Sequence, residues 1–411
     1  MRDGEVFHER NTVYFAGTCS VEQIADAMRV IDIVIDDARY PNIILNFQNI
    51  DAAYGSFLTT LLSRVKYLQA NRIDVVIIDP KNIAAKNFMS RANFNSIAEA
   101  DGRPRRSFRP DKSLPIFHYV DADEQGHAVA CIVRALLFQI SGLDRRHIQA
   151  AQWALYEITD NVLNHANSLV GGFVHCQIHH NLKLIEIVVA DSGIGIARSL
   201  GESDQALALQ QAISEGVTRN SETNQGNGLY GTWRLATLSR GMFHIHSRSG
   251  YMNVSPNGRV RLNGRYQRYP GTYVLFQIDY SDPNLIAEAL MFKGKIHDPS
   301  YDFIEEHFES PGAPHTTLRL VDHVVSTGSR DSGRKVANLI NNVINMAEDR
   351  RVDIDFDGIY IVSSSFADEC FGRLIAHVGP SEFFSRISFV NCDPSIRAII
   401  DRSVVQRLKL H

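Results

Sequence analysis

The apolar pattern of the chain repeats at its two ends. Ile43 to Arg64 can be laid without gaps on Val352 to Arg373, so that Phe47 falls on Phe356, Ile50 on Ile359, Ser56 on Ser365, Phe57 on Phe366 and Arg64 on Arg373. In each copy an alternating apolar strand, Ile43 to Phe47 or Val352 to Phe356, leads through a short turn into a segment with apolar residues three or four apart. These are Phe57, Leu58, Leu61 and Leu62 in the first copy, and Phe366, Cys370, Phe371 and Leu374 in the second. Alternation is the period of a strand, and the wider spacing is that of an amphipathic helix. Ser20 to Arg39 and Ser332 to Arg350 read as helices ahead of the copies, Asp74 to Ile78 and Arg386 to Asn391 as strands after them. The ends therefore predict two small β-α-β-α-β domains of one type, with a strand-rich domain between.

Proline and glycine set the boundaries. The basic stretch Asp101 to Pro110 reads as a linker, and Ser310 to Pro314 as a break. The expected division is 1–100, a linker 101–118, a central domain 119–282, a connector 283–314 and a final domain 315–411. Arg103, Arg105, Arg106 and Arg109 of the linker could bind nucleic acid or another acidic partner, but with no aromatic interleaving and no reader motif beside them the solvated-linker reading is preferred.

At about 150 residues per domain, 411 residues suit this three-part reading. Apolar runs such as Val75 to Ile78 stay well short of the roughly 18 residues of a membrane helix, and the polar start Met1 to Glu5 is unlike a signal peptide. No membrane is expected as a partner. Five scattered cysteines without a C-x-x-C pair fit free thiols in a reducing compartment, so a cytoplasmic location is the expectation. A net charge of −4 hides one asymmetry: Asn224 to Ile278 contains no Asp, Glu or Lys, yet holds seven arginines, Arg234, Arg240, Arg248, Arg259, Arg261, Arg265 and Arg268. Such a block can mark an anion site.

Four motifs follow one another in the central domain. On the helix Trp153 to His165, Glu157, Asn161 and His165 recur every four residues and share a face, with Asp160 beside them. The apolar strand Leu184 to Ala190 ends in Asp191-Ser192-Gly193-Ile194-Gly195, a carboxylate followed by glycines that let a ligand approach the backbone. Gly226-Asn227-Gly228-Leu229-Tyr230-Gly231 opens a helix, which aims N–H groups at an anion. Pro270-Gly271-Thr272 leads into the strand Tyr273 to Ile278. A Rossmann reading of the third motif fails, because no acidic residue follows before Asp279, and no Walker lysine motif is present. His175, Cys176, His179 and His180 alternate in direction on a strand and read as surface residues rather than a metal site.

Taken in order, the four motifs resemble the GHKL ATP-binding fold shared by gyrase B subunits, MutL, heat-shock chaperone ATPases, histidine kinases and anti-sigma-factor serine kinases. The resemblance covers roughly residues 120 to 280. It implies a multi-domain α/β chain whose central sandwich has a mixed sheet with helices on one face, and it implies ATP and Mg2+ as ligands. By that resemblance Glu157 is the general base, Asn161 the magnesium ligand with Asp160 as its secondary neighbour, and Asp191 the acceptor of the adenine amino hydrogen. Gly193 and Gly195 would close on base and ribose, Gly226, Gly228, Leu229 and Gly231 would sit at the phosphates, and Thr272 would join Asp191 at the adenine. Leu200 to Gln225 would form a lid, and Arg234 is a candidate phosphate contact, the later arginines being solvated or partner-facing.

The C-terminal repeat, with Asp355-Phe356-Asp357-Gly358 and Ser363 to Gly372, looks like the STAS-like domains often found beside such ATPases; the N-terminal domain matches through the repeat. In STAS-type anti-sigma-factor antagonists a serine at the start of this helix is phosphorylated by a GHKL kinase. Ser365 and Ser56 occupy the matching positions. Ser56 follows Tyr54-Gly55 instead of Asp-Ser, both serines precede Phe instead of Gly, and either would serve as a helix N-cap. His127 lacks the surroundings of a phosphoacceptor histidine. The expected activity is an ATP-driven switch that hydrolyses its nucleotide and acts on a protein partner, or on a second copy in a homodimer, through the STAS-like domains. A serine kinase and a non-hydrolysing ATP sensor are the alternatives, and the base Glu157 speaks against the sensor.

Overall fold

A computed structural model describes residues 4–99, 114–214, 228–282, 291–292, 295–296, 302–309, 315–324, 326–347 and 350–409. The chain divides into two compact units: the described residues of Met1–Phe108, Ser113–Val129 and Trp153–His297 form the first, those of Ala130–Gln152 and Asp298–His411 the second.

The first unit contains two sheets. The four-stranded one runs β1 (Val6–Glu9), β2 (Thr12–Cys19), β3 (Asn42–Ala53), β4 (Asp74–Ile78), with β1 antiparallel to β2 and the remaining pairs parallel. Helices α1 (Ile24–Asp32) and α2 (Gly55–Ala70) make the crossovers, and α3 (Ile83–Arg91) and α4 (Phe94–Ala98) follow β4. The predicted β-α-β-α-β core is present with an added edge strand. Ser20 opens the first crossover with a capping box to Gln23.

The seven-stranded sheet has the order β10 (Val260–Asn263), β9 (Gly250–Val254), β8 (Phe243–Arg248), β11 (Tyr269–Asp279), β7 (Leu184–Asp191), β6 (Gly172–His179), β5 (Phe117–Tyr119). All six pairings are antiparallel, where a mixed sheet was expected. β5 begins at Phe117, so the end of the expected linker already belongs to the sheet. Side-chain alternation separates its faces. On one face lie Asp191, Gly172 and Thr272, in register with one another. Tyr119 points the same way and donates to the Thr159 carbonyl of α6 (Arg145–Asn161), the helix that follows α5 (Ala122–Gln139) in the chain. On the other face lie Phe173, His175, Ala190 and Tyr273.

Helices were expected on one face only. The second face is taken by α2, whose first residue, Gly55, sits so close to His175 that a Cβ there would fall 2.2 Å from Nδ1. Two-sided burial explains the composition of α2. Phe57, Leu58, Leu61, Leu62 and Val65 enter the core of the four-stranded sheet, while Ser56, Thr59, Thr60 and Ser63 recur at helical spacing as a small polar stripe toward the seven-stranded one. Thr59 and Thr60 return their hydroxyls to the Gly55 and Ser56 carbonyls. His175 is consequently 4% exposed, not a surface residue, because β6 is covered by α2. Burial lowers its pKa to about 4. His179 is half-buried with Nε2 3.7 Å from Glu186 Oε2, and the nearby carboxylate raises its pKa.

A short hairpin of β12 (Met291–Phe292) and β13 (Lys295–Ile296) follows. In the second unit, α10 (Phe303–Phe308) precedes a parallel three-stranded sheet, β14 (His315–Arg319), β15 (Arg351–Asp355), β16 (Ile387–Val390), with α11 (Arg330–Met346) as its first crossover. The buried amide of Asn342 on α11 donates to the Leu137 and Ile140 carbonyls at 2.9 and 2.6 Å and accepts from Leu143 N–H at 3.1 Å, so one side chain satisfies a whole turn.

The two repeats diverge after their aligned strands. β3 continues to Ala53 because the eight-residue β2 pairs with it as far as Cys19; β15 stops at Asp355, where its five-residue partner β14 ends. Ile50 is therefore in a strand, and its counterpart Ile359 is in a loop.

Candidate functional site

β7 carries two carboxylates, Glu186, which accepts from Gln277 Nε2 at 2.8 Å, and its last residue, Asp191, which is buried. Its Oδ1 accepts from Gly193 N–H at 2.6 Å, and the backbone of Thr272 also bonds the carboxylate. Burial nevertheless raises its pKa to about 7, against the opposing effects of these two bonds and of the Arg248 guanidinium. Thr272 and Ser247 share a hydroxyl hydrogen bond at 2.9 Å, and Ser247 Oγ also accepts from Ile196 N–H at 2.8 Å. The carboxylate, the following loop and Thr272 thus form one hydrogen-bonded group, as the motif order anticipated.

Sequence reasoning missed Arg248. Expected to be solvated or partner-facing, it is half-buried and donates from Nη2 to the Gly193 carbonyl at 2.8 Å and from Nε to the Ile194 carbonyl at 3.2 Å. Its membership of the acid-free block was the one available signal. Gly195, at φ +84°, lies against it: a Cβ there would meet Arg248 Cγ at 2.7 Å, so glycine is required by conformation and by space.

A second group sits along α6. The Glu157 side chain lies at the start of α9 (Gly228–Leu238), where a Cβ on Gly228 would fall 2.1 Å from Oε2; only glycine admits the carboxylate there. Burial, then the Asp160 charge, raise the Glu157 pKa, while a hydrogen bond with Trp153 opposes them. Asp160 accepts from Asn164 Nδ2 at 2.7 Å. Asn161 closes α6, and a π-helical turn, Val162–Ala166, carries His165 and ends at Asn167, which is left-handed at φ +47°. That turn joins the two groups, since Ile194 N–H donates to the Ala166 carbonyl at 2.7 Å.

Leu229 and Gly231 lie in the first turns of α9. Arg234 stands over the Tyr230 ring at 5.9 Å. Gly226 and Arg103 to Arg109 lie outside the described residues, as does the lid region beyond residue 214. Of that region, α7 (Ile196–Leu200) and α8 (Gln205–Ala212) are helical.

Neither repeat serine is a cap. Tyr54 holds the capping position of α2, and Ser56 is 4% exposed on the stripe that faces β6 and β7. In the other copy Ser363 caps the helical stretch 364–378, accepting from Phe366 N–H at 3.0 Å, and Ser365 Oγ bonds to Ser363 Oγ at 3.0 Å. A forked pair of Arg407 with Asp368 at 2.8 and 2.7 Å ties the final helix, Pro394–Leu408, to this stretch.

Among the described residues, no group of three or more His, Cys, Asp or Glu side chains could hold a metal ion, and no helix is long and apolar enough to cross a membrane. All five cysteines are free, and four of them are buried. No curated protein matches the sequence. Residues 332–397 match the STAS-like domain of unknown function (DUF4325), so the C-terminal repeat is a STAS-like domain.

Proposed function

We propose that the chain binds ATP with magnesium, hydrolyses it, and uses the change of nucleotide state to alter the contacts of its STAS-like domains. The observation that carries this reading is the buried Asp191 carboxylate framed by Gly193 and Thr272. A carboxylate has acceptor capacity beyond the bonds from Gly193 and Thr272, and the exocyclic amine of adenine is a donor suited to it. From Glu157 to Ala166 the helix advances roughly 13 Å at 1.5 Å per residue, which suits a nucleotide with its base at Asp191 and its phosphates at the start of α9.

In this arrangement Asp191 reads the base and Thr272 supports it. The N-terminus of α9 and Arg234 receive phosphate charge. Glu157, whose pKa is raised by burial, takes the proton from the attacking water. A magnesium ion would be held by the Asn161 amide oxygen together with phosphate oxygens and would offset charge on the transferred group. Ser56 is too buried to receive phosphate without local opening; Ser365 is half-buried.

The test is phosphate release from Mg-ATP by wild type and Glu157→Ala, with nucleotide binding measured on both. Release lost in the variant while binding persists supports the reading, and equal release overturns the mechanism. Binding without release in wild type would make the chain an ATP sensor. Label from γ-labelled ATP that appears on serine and disappears in Ser365→Ala would make it a serine kinase.

A further inference from the structure

We infer that Arg248 is a positioning residue for Asp191: it fixes the loop that aims the carboxylate and thereby sets discrimination for the base, an inference that rests on the nucleotide reading above. Three observations converge on it. Arg248 ends β8 at φ +53°, a left-handed conformation that a residue with a long side chain seldom adopts, and from there its side chain runs over the Asp191 loop. Its guanidinium takes two successive loop carbonyls, Gly193 at 2.8 Å and Ile194 at 3.2 Å. Ser247, the residue before it, takes the Ile196 N–H at 2.8 Å.

Two adjacent residues of β8 thus satisfy three polar groups of the loop. The Asp191 carboxylate is oriented by Gly193 N–H, in the same residue whose carbonyl Arg248 holds. Movement of that residue moves the carboxylate. A lysine carries the charge but cannot span two carbonyls with a planar fork.

The charge acts as well as the geometry. Asp191 is faced by Arg248 from β8, by Tyr269 from β11 and by Tyr119 from β5, and Arg268 and Arg198 face Arg248 itself. Arg248 lowers the carboxylate's pKa against burial, so its removal leaves a larger fraction protonated at neutral pH.

The experiment compares Mg-ATP and Mg-ITP binding across pH in the full chain, for wild type, Arg248→Met, Arg248→Lys and Asp191→Asn. ITP lacks the exocyclic amine, so wild type should prefer ATP by about tenfold or more. Arg248→Met should largely lose that preference and shift the pH midpoint of ATP binding upward. Arg248→Lys should keep the wild-type midpoint but not the preference. Arg248→Met with unchanged preference and midpoint overturns the inference while leaving ATP binding intact. Should Arg248→Met be unfolded by circular dichroism, the lysine variant decides: native preference there overturns the inference, and its loss supports it. Wild type that fails to bind ATP, or an Asp191→Asn variant that binds it as wild type does, overturns the nucleotide reading itself.

Discussion

Ser63 Oγ and Ser192 Oγ lie 2.9 Å apart in a buried hydrogen bond between residues 129 positions apart in the chain. Ser63 belongs to α2 of the N-terminal repeat, and Ser192 follows Asp191. The helix of one sheet therefore touches the loop that carries the candidate site of the other. Ser63→Ala should cost about 1–3 kcal/mol by leaving Ser192 without its partner, and the double variant with Ser192→Ala should cost less than the sum of the singles. Urea unfolding of the four proteins checks this; additive losses would show the pair to be uncoupled.

Gly55→Ala should be costlier than its size suggests. The added methyl would overlap the His175 ring, and α2 must either shift or lose its seat on β6. A loss of about 1–3 kcal/mol is expected from such overpacking, with a normal value restored by adding His175→Ala if the clash is the cause. A single variant as stable as wild type would contradict the close approach.

Asp191 should make stability and binding depend on pH in opposite senses. Burial holds its folded pKa at about 7, well above that of an ordinary aspartate, so its protonated form favours the fold; this contribution is complete below about 4 and is lost as pH rises through 7. Asp191→Asn should therefore be more stable than wild type at pH 8 and converge with it near pH 4. ATP binding, which needs the carboxylate, should strengthen roughly tenfold from pH 6 to pH 8 in wild type and stay flat in the variant. Parallel pH profiles of the two proteins would sink both expectations.

Glu157→Gln keeps the shape of the side chain beside Gly228 and removes the base. Phosphate release should fall by about 10²–10⁴-fold while Mg-ATP affinity changes little. A matched fall in affinity would assign Glu157 to binding instead.

Local pattern carried much of this structure. The strand Asp74 to Ile78 appears with the expected bounds, and the Glu157 helix, the Asp191 strand end and the Gly228 helix start all follow from periodicity and glycine placement. What escaped depends on packing between distant segments. His175 looks like a surface histidine until α2 lies over it. The polar stripe of Ser56, Thr59, Thr60 and Ser63 looks like an exposed face until a second sheet meets it. Arg248 could not be singled out among seven arginines because its partners are backbone carbonyls, which leave no trace in residue type. The antiparallel order of the central sheet was equally hidden, since strand direction is set by which neighbours pair and not by the pattern within a strand.

The cover that α2 provides has a practical corollary for dissection of the chain. Phe173, Ala190, Tyr269 and Tyr273 of the central sheet, with Val170 in the turn before β6, share one apolar cluster with the N-terminal core. A shortened protein begun at Leu114 would expose that cluster to water and offer an apolar sheet surface for self-association. Recombinant work on the central region should therefore keep the N-terminal segment attached, or supply it as a co-expressed fragment, and recovery of soluble material only in its presence would measure how far the two sheets depend on each other to fold.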